Sequence, residues 1–507
     1  MSSDFYYHPR DFRKVQLWKN VTDSQWNDPQ WQMQNSVRTV EQLKHIIKLT
    51  ASQTESVEQT IQQLKKEGKD PMRITPYYAM LMNENPFDPV YTEIKEKRNW
   101  IDPIFWQSVP TPANILFPDA GPEGAMAEDR RSYGAAYQRY PNRVALLVAQ
   151  NTSCASYCIH CQRAKSLDTR SIINSDEINR GIFYISSNPN INEVLVTGGD
   201  PLMIKKENLK YILEELGRIP HLRAIRIATR VPVVLPMAIN EELLKMIKES
   251  VNRYSKGPAK YVYFMTHINH YHEITETFAA AVRKIMDAGF TIRNQTVLLN
   301  HVNDSFYILA ETFRRMFWTG VHPYYLLQCH KEKGILHFIT PIQVGKIYIK
   351  HLQGWISGIT VPRYAANIEG GGGKVLLMPS GHDTLNMKVN IESRISESYA
   401  TVSTWDHRTI FRYEALGRTT REEFASAMHI MENFIKTARV FQPKLIVIDK
   451  KGKHLETTFR TRLPDFERSR KSNLLQYRSY RNEMPVTNPA TIKNQLDIEF
   501  QKSKFCK

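Results

Sequence analysis

The chain has 507 residues, 42% hydrophobic and 23% charged, which is typical of a globular protein large enough for two or three domains. No apolar run is long enough to cross a bilayer, and the first residues lack the apolar segment of a signal peptide, so we expect a cytoplasmic protein. The formal net charge of +17 suits either an anionic partner or an ordinary solvated surface, and we interpret most of it as surface.

Residues 1–135 are predicted to form a helical N-terminal region. Polar, Gln-rich sequence there carries apolar residues at helical spacing, such as Val57, Ile61 and Leu64. A Pro-rich stretch follows, which predicts an irregular connection to the next region.

Residues 136–380 are predicted to alternate strands with amphipathic helices. This alternation indicates an α/β fold with a parallel sheet, either doubly wound or closed into a full or partial barrel. Because the active sites of barrels gather at the ends of their strands, we expect the chemistry there. The predicted strands span 144–150, 193–199, 224–230, 261–267, 292–299, 323–329 and 361–368.

Residues 381–507 are predicted to form a smaller, basic α+β region, with a helix at 421–440 and a strand at 444–452. The Arg-rich stretch 460–481 contains interleaved tyrosines that would suit RNA. A packed or interfacial basic segment is the commoner reason for such a stretch, so nucleic acid is not an expected partner.

Three of the five cysteines fall close together after the first predicted strand, as Cys154, Cys158 and Cys161 in a C-x3-C-x2-C pattern. Clustered thiolates in a reducing compartment predict zinc or iron–sulfur binding. Zinc normally takes four protein ligands at a structural site, and the nearby His160 could serve only with awkward geometry. Three thiolates on one loop instead suit a four-iron cluster with one iron left for an external ligand.

This spacing, after the first strand of a predicted βα barrel, resembles the radical S-adenosylmethionine (SAM) enzymes. The resemblance implies a [4Fe-4S] cluster whose open iron chelates SAM, and cleavage of SAM by one electron to a 5′-deoxyadenosyl radical. The next strand ends in Gly198, Gly199 and Asp200, which alone predict only a tight turn. In radical SAM enzymes such a segment contacts the methionyl ammonium.

Four glycines, residues 370–373, precede Lys374. A Walker A loop is excluded because Ile368 and Val375 stand where its first Gly and its Ser or Thr are needed. The segment could be a flexible linker, or it could hold a lysine that binds pyridoxal phosphate (PLP). Following the cysteine loop, it resembles the lysine 2,3-aminomutase family.

The resemblance covers about residues 135 to 380 and implies roles for further residues. Lys374 would carry PLP, and Arg163 would bind the α-carboxylate of an amino-acid substrate. Without the family, His267, His270 and His272 could pass for part of a zinc site. The family implies PLP-phosphate contacts from Arg139 and Arg143 with Tyr140 nearby, PLP contacts from Tyr324 and Tyr325, and SAM contacts from His267, Asn269 and Gln295.

The resemblance implies that two positions determine the choice of substrate. In the lysine enzymes of this family, aspartates at these positions bind the distal ammonium of the substrate. Here they are His330, followed by Lys331, and Asn367. No anion remains, so the pattern resembles the glutamate 2,3-aminomutases. The expected reaction moves the α-amino group of L-glutamate to the β-carbon.

Three alternatives stay open: lysine as the substrate, a PLP-free radical SAM enzyme that modifies RNA or protein, and a non-catalytic iron–sulfur or RNA-binding protein. The resemblance also implies an electron donor such as ferredoxin or flavodoxin, and a homo-oligomer.

Overall fold

A computed structural model of the chain describes residues 5–87, 101–115, 132–150, 152–161, 173–254, 259–330, 332–368 and 373–378, with residues 497, 500 and 501. For six further short strands it describes only the backbone. The helix predicted at 421–440 lies outside the described residues, whereas the strand predicted from residue 444 is present as Lys444–Ile448.

The strands form one large sheet and three two-stranded sheets. They are β1 (Val90–Tyr91), β2 (Lys97–Asn99), β3 (Ala136–Tyr140), β4 (Arg143–Leu147), β5 (Glu193–Thr197), β6 (Ala224–Ala228), β7 (Tyr261–Thr266), β8 (Thr291–Leu298), β9 (His322–Gln328), β10 (Arg363–Ile368), β11 (Gly373–Leu376), β12 (Tyr399–Ser403), β13 (Ile410–Glu414), β14 (Lys444–Ile448) and β15 (His454–Thr458).

Helices fill the N-terminal region and cover the large sheet. They are α1 (Asp23–Trp26), α2 (Pro29–Gln34), α3 (Val40–Lys44), α4 (Ala51–Lys66), α5 (Pro76–Ala79), α6 (Pro103–Ser108), α7 (Ser175–Ser187), α8 (Lys206–Arg218), α9 (Val231–Val234), α10 (Glu241–Asn252), α11 (Glu276–Asp287), α12 (Phe306–Trp318) and α13 (Ile342–Trp355). No helix within the described ranges is long and apolar enough to cross a membrane.

The nine strands β3 to β11 follow one another in sequence order across the large sheet. Strands β4 to β10 are parallel, and the two edge strands are antiparallel to their neighbours. All seven strands predicted between residues 144 and 368 are confirmed. Strand β3 was not predicted, because only its first residue is buried and it therefore lacks the apolar signature of the others.

Alternation along the strands gives the sheet an apolar outer face and a polar inner face. In β6, Ile225 and Ile227 are fully buried, whereas Arg226 between them faces a cavity inside the sheet. In β8, Arg293 and Gln295 face the same cavity. The sheet thus directs polar side chains inward.

The two edges of the sheet approach each other and nearly close a barrel. The backbone N–H of Lys374 in β11 donates to the hydroxyl of Tyr140 in β3 over 2.7 Å. The partial (β/α) barrel predicted from the sequence is therefore confirmed.

The N-terminal helices pack directly on this barrel. The hydroxyl of Thr75 donates to the carbonyl of Val234 over 2.5 Å, and the hydroxyls of Tyr77 and Thr275 share a hydrogen bond. The N-terminal region and the barrel consequently share one hydrophobic core.

Two residues near the end of the sequence dock beside β3. Asp497 accepts hydrogen bonds from Tyr133 and Arg180, and Phe500 is fully buried. The ring of Phe500 lies 4.6 Å from the Arg180 guanidinium and 5.7 Å from the Phe183 ring.

Gly217 in α8 is expected to resist substitution because a Cβ there would come 2.5 Å from the carbonyl oxygen of Val251 in α10. We expect Gly217→Ala to lower the free energy of unfolding by about 1 to 2 kcal/mol, since overpacking outweighs the better helix propensity of Ala. Gly354→Ala in α13 is the matched control, because nothing lies within 4 Å of its Cβ. Thermal midpoints measure both; a drop in both variants, or in neither, would contradict the close helix packing.

Candidate active site

A cavity of about 750 Å³ occupies the barrel interior. Cys154, Cys158 and Cys161 line it, and so does Lys374. The two motifs singled out in the sequence, more than two hundred residues apart, therefore line one shared cavity.

The cysteine loop follows β4. None of its three cysteines forms a disulfide, and each is partly exposed. Among the residues that the structure describes, no three His, Cys, Asp or Glu side chains already enclose a site for a metal ion. The three cysteines line the same cavity, but their side chains do not converge as the ligands of one metal ion do.

The N-terminal region holds the backbone of this loop. The guanidinium of Arg73 donates to the carbonyls of Thr152 and Cys154, at 3.0 Å each. The Tyr157 N–H donates back to the Arg73 carbonyl, and the Ile159 N–H donates to the carbonyl of Gln107. The position of the thiols therefore depends on residues outside the barrel.

Gly198 and Gly199 lie directly against the start of the cysteine loop. A Cβ on Gly198 would come 2.2 Å from the Ala149 carbonyl oxygen, and one on Gly199 would come 2.0 Å from that of Gln150. Gly198 also has a φ of 136°, which side chains disfavour. Both glycines line the cavity, and their lack of side chains lets two backbones meet.

Asp200 lines the cavity but is 4% exposed. One carboxylate oxygen accepts from the backbone N–H of Arg230 and the hydroxyl of Thr229, and the other accepts from the Leu202 N–H. Burial raises the pKa of Asp200 to about 6, although these hydrogen bonds oppose the rise. The carboxyl group thereby ties the end of β5 to the end of β6.

Of the three residues predicted to contact SAM, His267 and Gln295 line the cavity and Asn269 does not. The Nδ1–H of His267 donates to the carbonyl of Gln295 over 2.7 Å, so its Nε2 is an acceptor. The ring of His160 donates to that nitrogen over 2.8 Å, and the Asn269 amide lies 3.1 Å from it. Burial lowers the pKa of His267 to about 3, and Arg230 adds to this effect, so His267 is neutral.

Lys374 extends from the β10–β11 hairpin into the cationic part of the cavity. Burial, together with the positive charges of Arg139, Arg226 and Arg143, lowers the pKa of its amine to about 8. The Nζ atom lies 5.8 Å from the centre of the Tyr325 ring. A sizeable fraction of this amine is neutral, and therefore nucleophilic, near pH 8.

Arg139 and Arg143, which are predicted to contact the PLP phosphate, lie close to Lys374, and so does Tyr140. The Arg143 guanidinium lies 3.9 Å from the centre of the Tyr140 ring, and the Arg139 Nε donates to the hydroxyl of Tyr137. Tyr324 also lines the cavity, and its ring centre is 4.1 Å from that of Tyr325.

His330 and Asn367 meet near Lys374, with 3.3 Å between His330 Nε2 and the Asn367 amide nitrogen. Burial lowers the pKa of His330 to about 4, helped by Lys374 and Arg139, so this ring is neutral. The amide oxygen of Asn367 is buried without a hydrogen bond. Arg163 and Lys331 lie outside the described residues.

Sequence analysis missed four arginines that line the cavity: Arg226, Arg230, Arg293 and Arg363. Arg226 pairs with Glu193 over 2.7 Å. Arg293 forms no ion pair with any described residue, and its Nε is buried without a hydrogen bond. Its guanidinium lies 5.6 Å from the ring centres of both Tyr263 and Tyr324. For Arg226 in β6 and Arg293 in β8, the sequence signal was a charged residue within a predicted strand.

The zinc alternative for His267, His270 and His272 is not supported. His270 Nδ1 accepts a hydrogen bond from the backbone of His272, and the ring of His272 stacks on Tyr7 with 4.0 Å between centres. The rings of His270 and His272 pack against neighbouring side chains, and of the three histidines only His267 lines the cavity.

Comparison with known proteins agrees with this site. Residues 151–313 match the model of the radical SAM superfamily. The chain is 37% identical to an L-lysine 2,3-aminomutase of Clostridium subterminale over 372 residues, covering 73% of this chain and 82% of the relative. The chain belongs to the lysine 2,3-aminomutase family of radical SAM enzymes.

Two other relatives differ in the substrate that their names give. An L-lysine 2,3-aminomutase of Methanococcus maripaludis is 38% identical, covering 71% of this chain and 78% of the relative. A glutamate 2,3-aminomutase of Clostridioides difficile is 33% identical, with the same coverage of 71% and 78%. This aminomutase is therefore an isomerase, and its superfamily implies a [4Fe-4S] cluster and SAM.

The residues present fit such a cluster. Cys154, Cys158 and Cys161 supply three soft donors and leave one iron for SAM. Gly198 and Gly199 let the β5 end pack directly against the start of the cysteine loop, and Asp200, His267 and Gln295 offer polar groups in the same cavity.

Arg73 is expected to control cluster assembly through the loop backbone. Arg73→Met removes two charge-assisted hydrogen bonds, worth about 1.5 to 3 kcal/mol each, and we expect at most half the iron per chain after anaerobic reconstitution. Arg38→Met is the matched control, because Arg38 is half exposed and its ion pair with Asp70 is long, at 3.9 Å. Wild-type iron content in Arg73→Met would show that the loop is held by other contacts.

Proposed function

We propose that this aminomutase is PLP-dependent and converts L-glutamate to β-glutamate. The observation that carries the choice of substrate is the pairing of His330 with Asn367 beside Lys374 and Arg139, where the described acids lining the cavity are only Glu193 and Asp200. PLP supplies the electron sink that stabilises a migrating substrate radical when it is bound.

The charge of the cavity supports an anionic substrate. Its described acids are Glu193, which pairs with Arg226, and Asp200, whose oxygens accept hydrogen bonds from the chain. A lysine ammonium near His330 would meet cations without a counter-charge, and an unpaired buried ion costs several kcal/mol. The described basic residues that line the cavity are Arg139, Arg143, Arg226, Arg230, Arg293, Arg363 and Lys374.

Residues of the chain take separate tasks in the proposed reaction. Lys374 holds PLP through its readily deprotonated amine, and Arg139 and Arg143 are placed to pair with the phosphate. The amide of Asn367 and the ring of His330 donate to the distal carboxylate, with Arg139 supplying positive charge nearby. Arg163 remains the proposed ligand of the α-carboxylate.

Lysine is the second candidate substrate, because several relatives at 35% to 38% identity are named L-lysine 2,3-aminomutase. The arrangement of His330 and Asn367 opposes it. A one-electron donor such as a ferredoxin or flavodoxin, and a homo-oligomeric state, also remain proposals.

The direct test is anaerobic incubation of the reconstituted enzyme with SAM, PLP and a reductant, separately with L-glutamate and L-lysine. Chromatography of the β-amino products decides the outcome. We expect β-glutamate, with L-lysine turned over at most about a tenth as efficiently. Turnover of lysine alone would disprove the charge argument, and turnover of neither would disprove both substrates.

Restoring two anions should shift substrate preference. We expect the double variant His330→Asp/Asn367→Asp to raise kcat/KM for lysine about tenfold or more and to lower it for glutamate, because the ammonium gains counter-charges. The double variant His330→Asn/Asn367→Gln keeps hydrogen-bonding groups without charge and should not gain activity on lysine. An equal loss on both substrates in the aspartate variant would place the distal group elsewhere.

The attachment of PLP should follow the pKa of Lys374. We expect the rate of covalent PLP attachment, followed by absorbance, to rise with pH through a midpoint near 8, because only the neutral amine attacks the aldehyde. Lys374→Ala should show no covalent attachment. A midpoint near the ordinary lysine value of 10.5, or attachment in the alanine variant, would remove Lys374 from this role.

A further inference from the structure

Arg230 is a charged residue that no motif assigned. It stands two residues after the end of β6 and is 7% exposed. Its backbone N–H donates to the Asp200 carboxylate over 2.8 Å, which fixes the start of its side chain next to the cysteine loop.

The guanidinium of Arg230 connects a cysteine to a buried acid. One terminal nitrogen lies 2.6 Å from the sulfur of Cys158. The other donates to the Glu273 carboxylate over 2.6 Å and to the Tyr78 hydroxyl over 2.7 Å. The Nε donates to the carbonyl of His267 over 3.2 Å, so every nitrogen of the group has a partner.

Glu273 fixes the direction of this guanidinium. It is fully buried, and one oxygen accepts from Tyr78 and Arg230 while the other accepts from the backbone N–H groups of Asn269 and His270. Glu273 is therefore held by four donors, one of them Arg230, whose other terminal nitrogen lies at Cys158.

A fixed positive charge beside a ligand sulfur has a known physical effect. Hydrogen bonds and positive charge near the sulfurs of an iron–sulfur cluster favour the reduced state, which carries one more negative charge. A nearby carboxylate does the opposite. Arg230 beside Cys158 thus favours the reduced state of the cluster, and Glu273 partly offsets this effect.

We propose that Arg230 is a positioning residue that raises the reduction potential of the four-iron cluster by way of Cys158, with Glu273 and Tyr78 holding it in place. This role rests on membership of the radical SAM superfamily and not on the choice of substrate. It makes the N-terminal region, through Tyr78, part of the control of electron entry.

The experiment is a redox titration of the anaerobically reconstituted enzyme without SAM, with the reduced cluster measured by electron paramagnetic resonance. In Arg230→Lys the shorter ammonium cannot reach Glu273 and Cys158 together, and we expect it to stay with the carboxylate. The ratio of reduced to oxidised cluster at a fixed potential should then fall about tenfold.

Glu273→Gln is the opposing variant. Removing the offsetting anion leaves Arg230 uncompensated, so the same ratio should rise severalfold. If the pair had a purely structural role, the ratio of reduced to oxidised cluster would change in the same direction in both variants, or would change in neither. Opposite shifts therefore support the proposal, and parallel or absent shifts overturn it.

Iron content and thermal midpoints are measured for each variant, so that a folding defect is recognised. Should Arg230→Lys fail to take up four irons, Tyr78→Phe tests the same point, because it removes one anchor of Arg230 and leaves both charges. We expect Tyr78→Phe to lower the ratio severalfold, and a wild-type ratio in this variant would overturn the proposal. Because the titration contains no amino-acid substrate, its result does not depend on whether glutamate or lysine is converted.

Discussion

The buried ion pair between Arg230 and Glu273 joins segments that lie far apart in the chain. Taking two charges out of water costs several kcal/mol per ion, and the loss is offset only where the remaining polar atoms find partners. Here Tyr78 comes from the N-terminal region, Cys158 from the cysteine loop and Glu273 from the segment after β7. The pair therefore requires the helices before the barrel and the barrel itself to be in place together.

The same logic of charge governs the other end of the cavity. Burial and the surrounding arginines lower the pKa of the Lys374 amine, and burial, with Lys374 and Arg139, keeps His330 neutral. A site of this kind favours ligands that bring negative charge, because each anion relieves repulsion among the cations. An anion that enters the site would offset the electrostatic cost of placing these cations close together.

The parts of the fold that depend on local pattern were predictable from the sequence. Parallel strands such as β5 and β7 give continuous apolar runs, and the cysteine and GGGGK motifs are contiguous, whereas the half-exposed edge strand β3 carries no such run. The partners of Arg230 could not be predicted, because residues 78, 158, 230 and 273 meet only in three dimensions. Sequence also cannot tell that the side chain of Asn269 turns away from the cavity while that of His267, two residues earlier, faces it.

Docking of Asp497 and Phe500 beside β3 has a topological consequence. The chain leaves the barrel after β11, at one edge of the sheet, and comes back to the opposite edge, where Tyr140 and Lys374 bridge the gap. Tyr133 and Asp497 lie 364 positions apart in the sequence, so the β3 edge of the barrel is completed by side chains from a distant part of the chain.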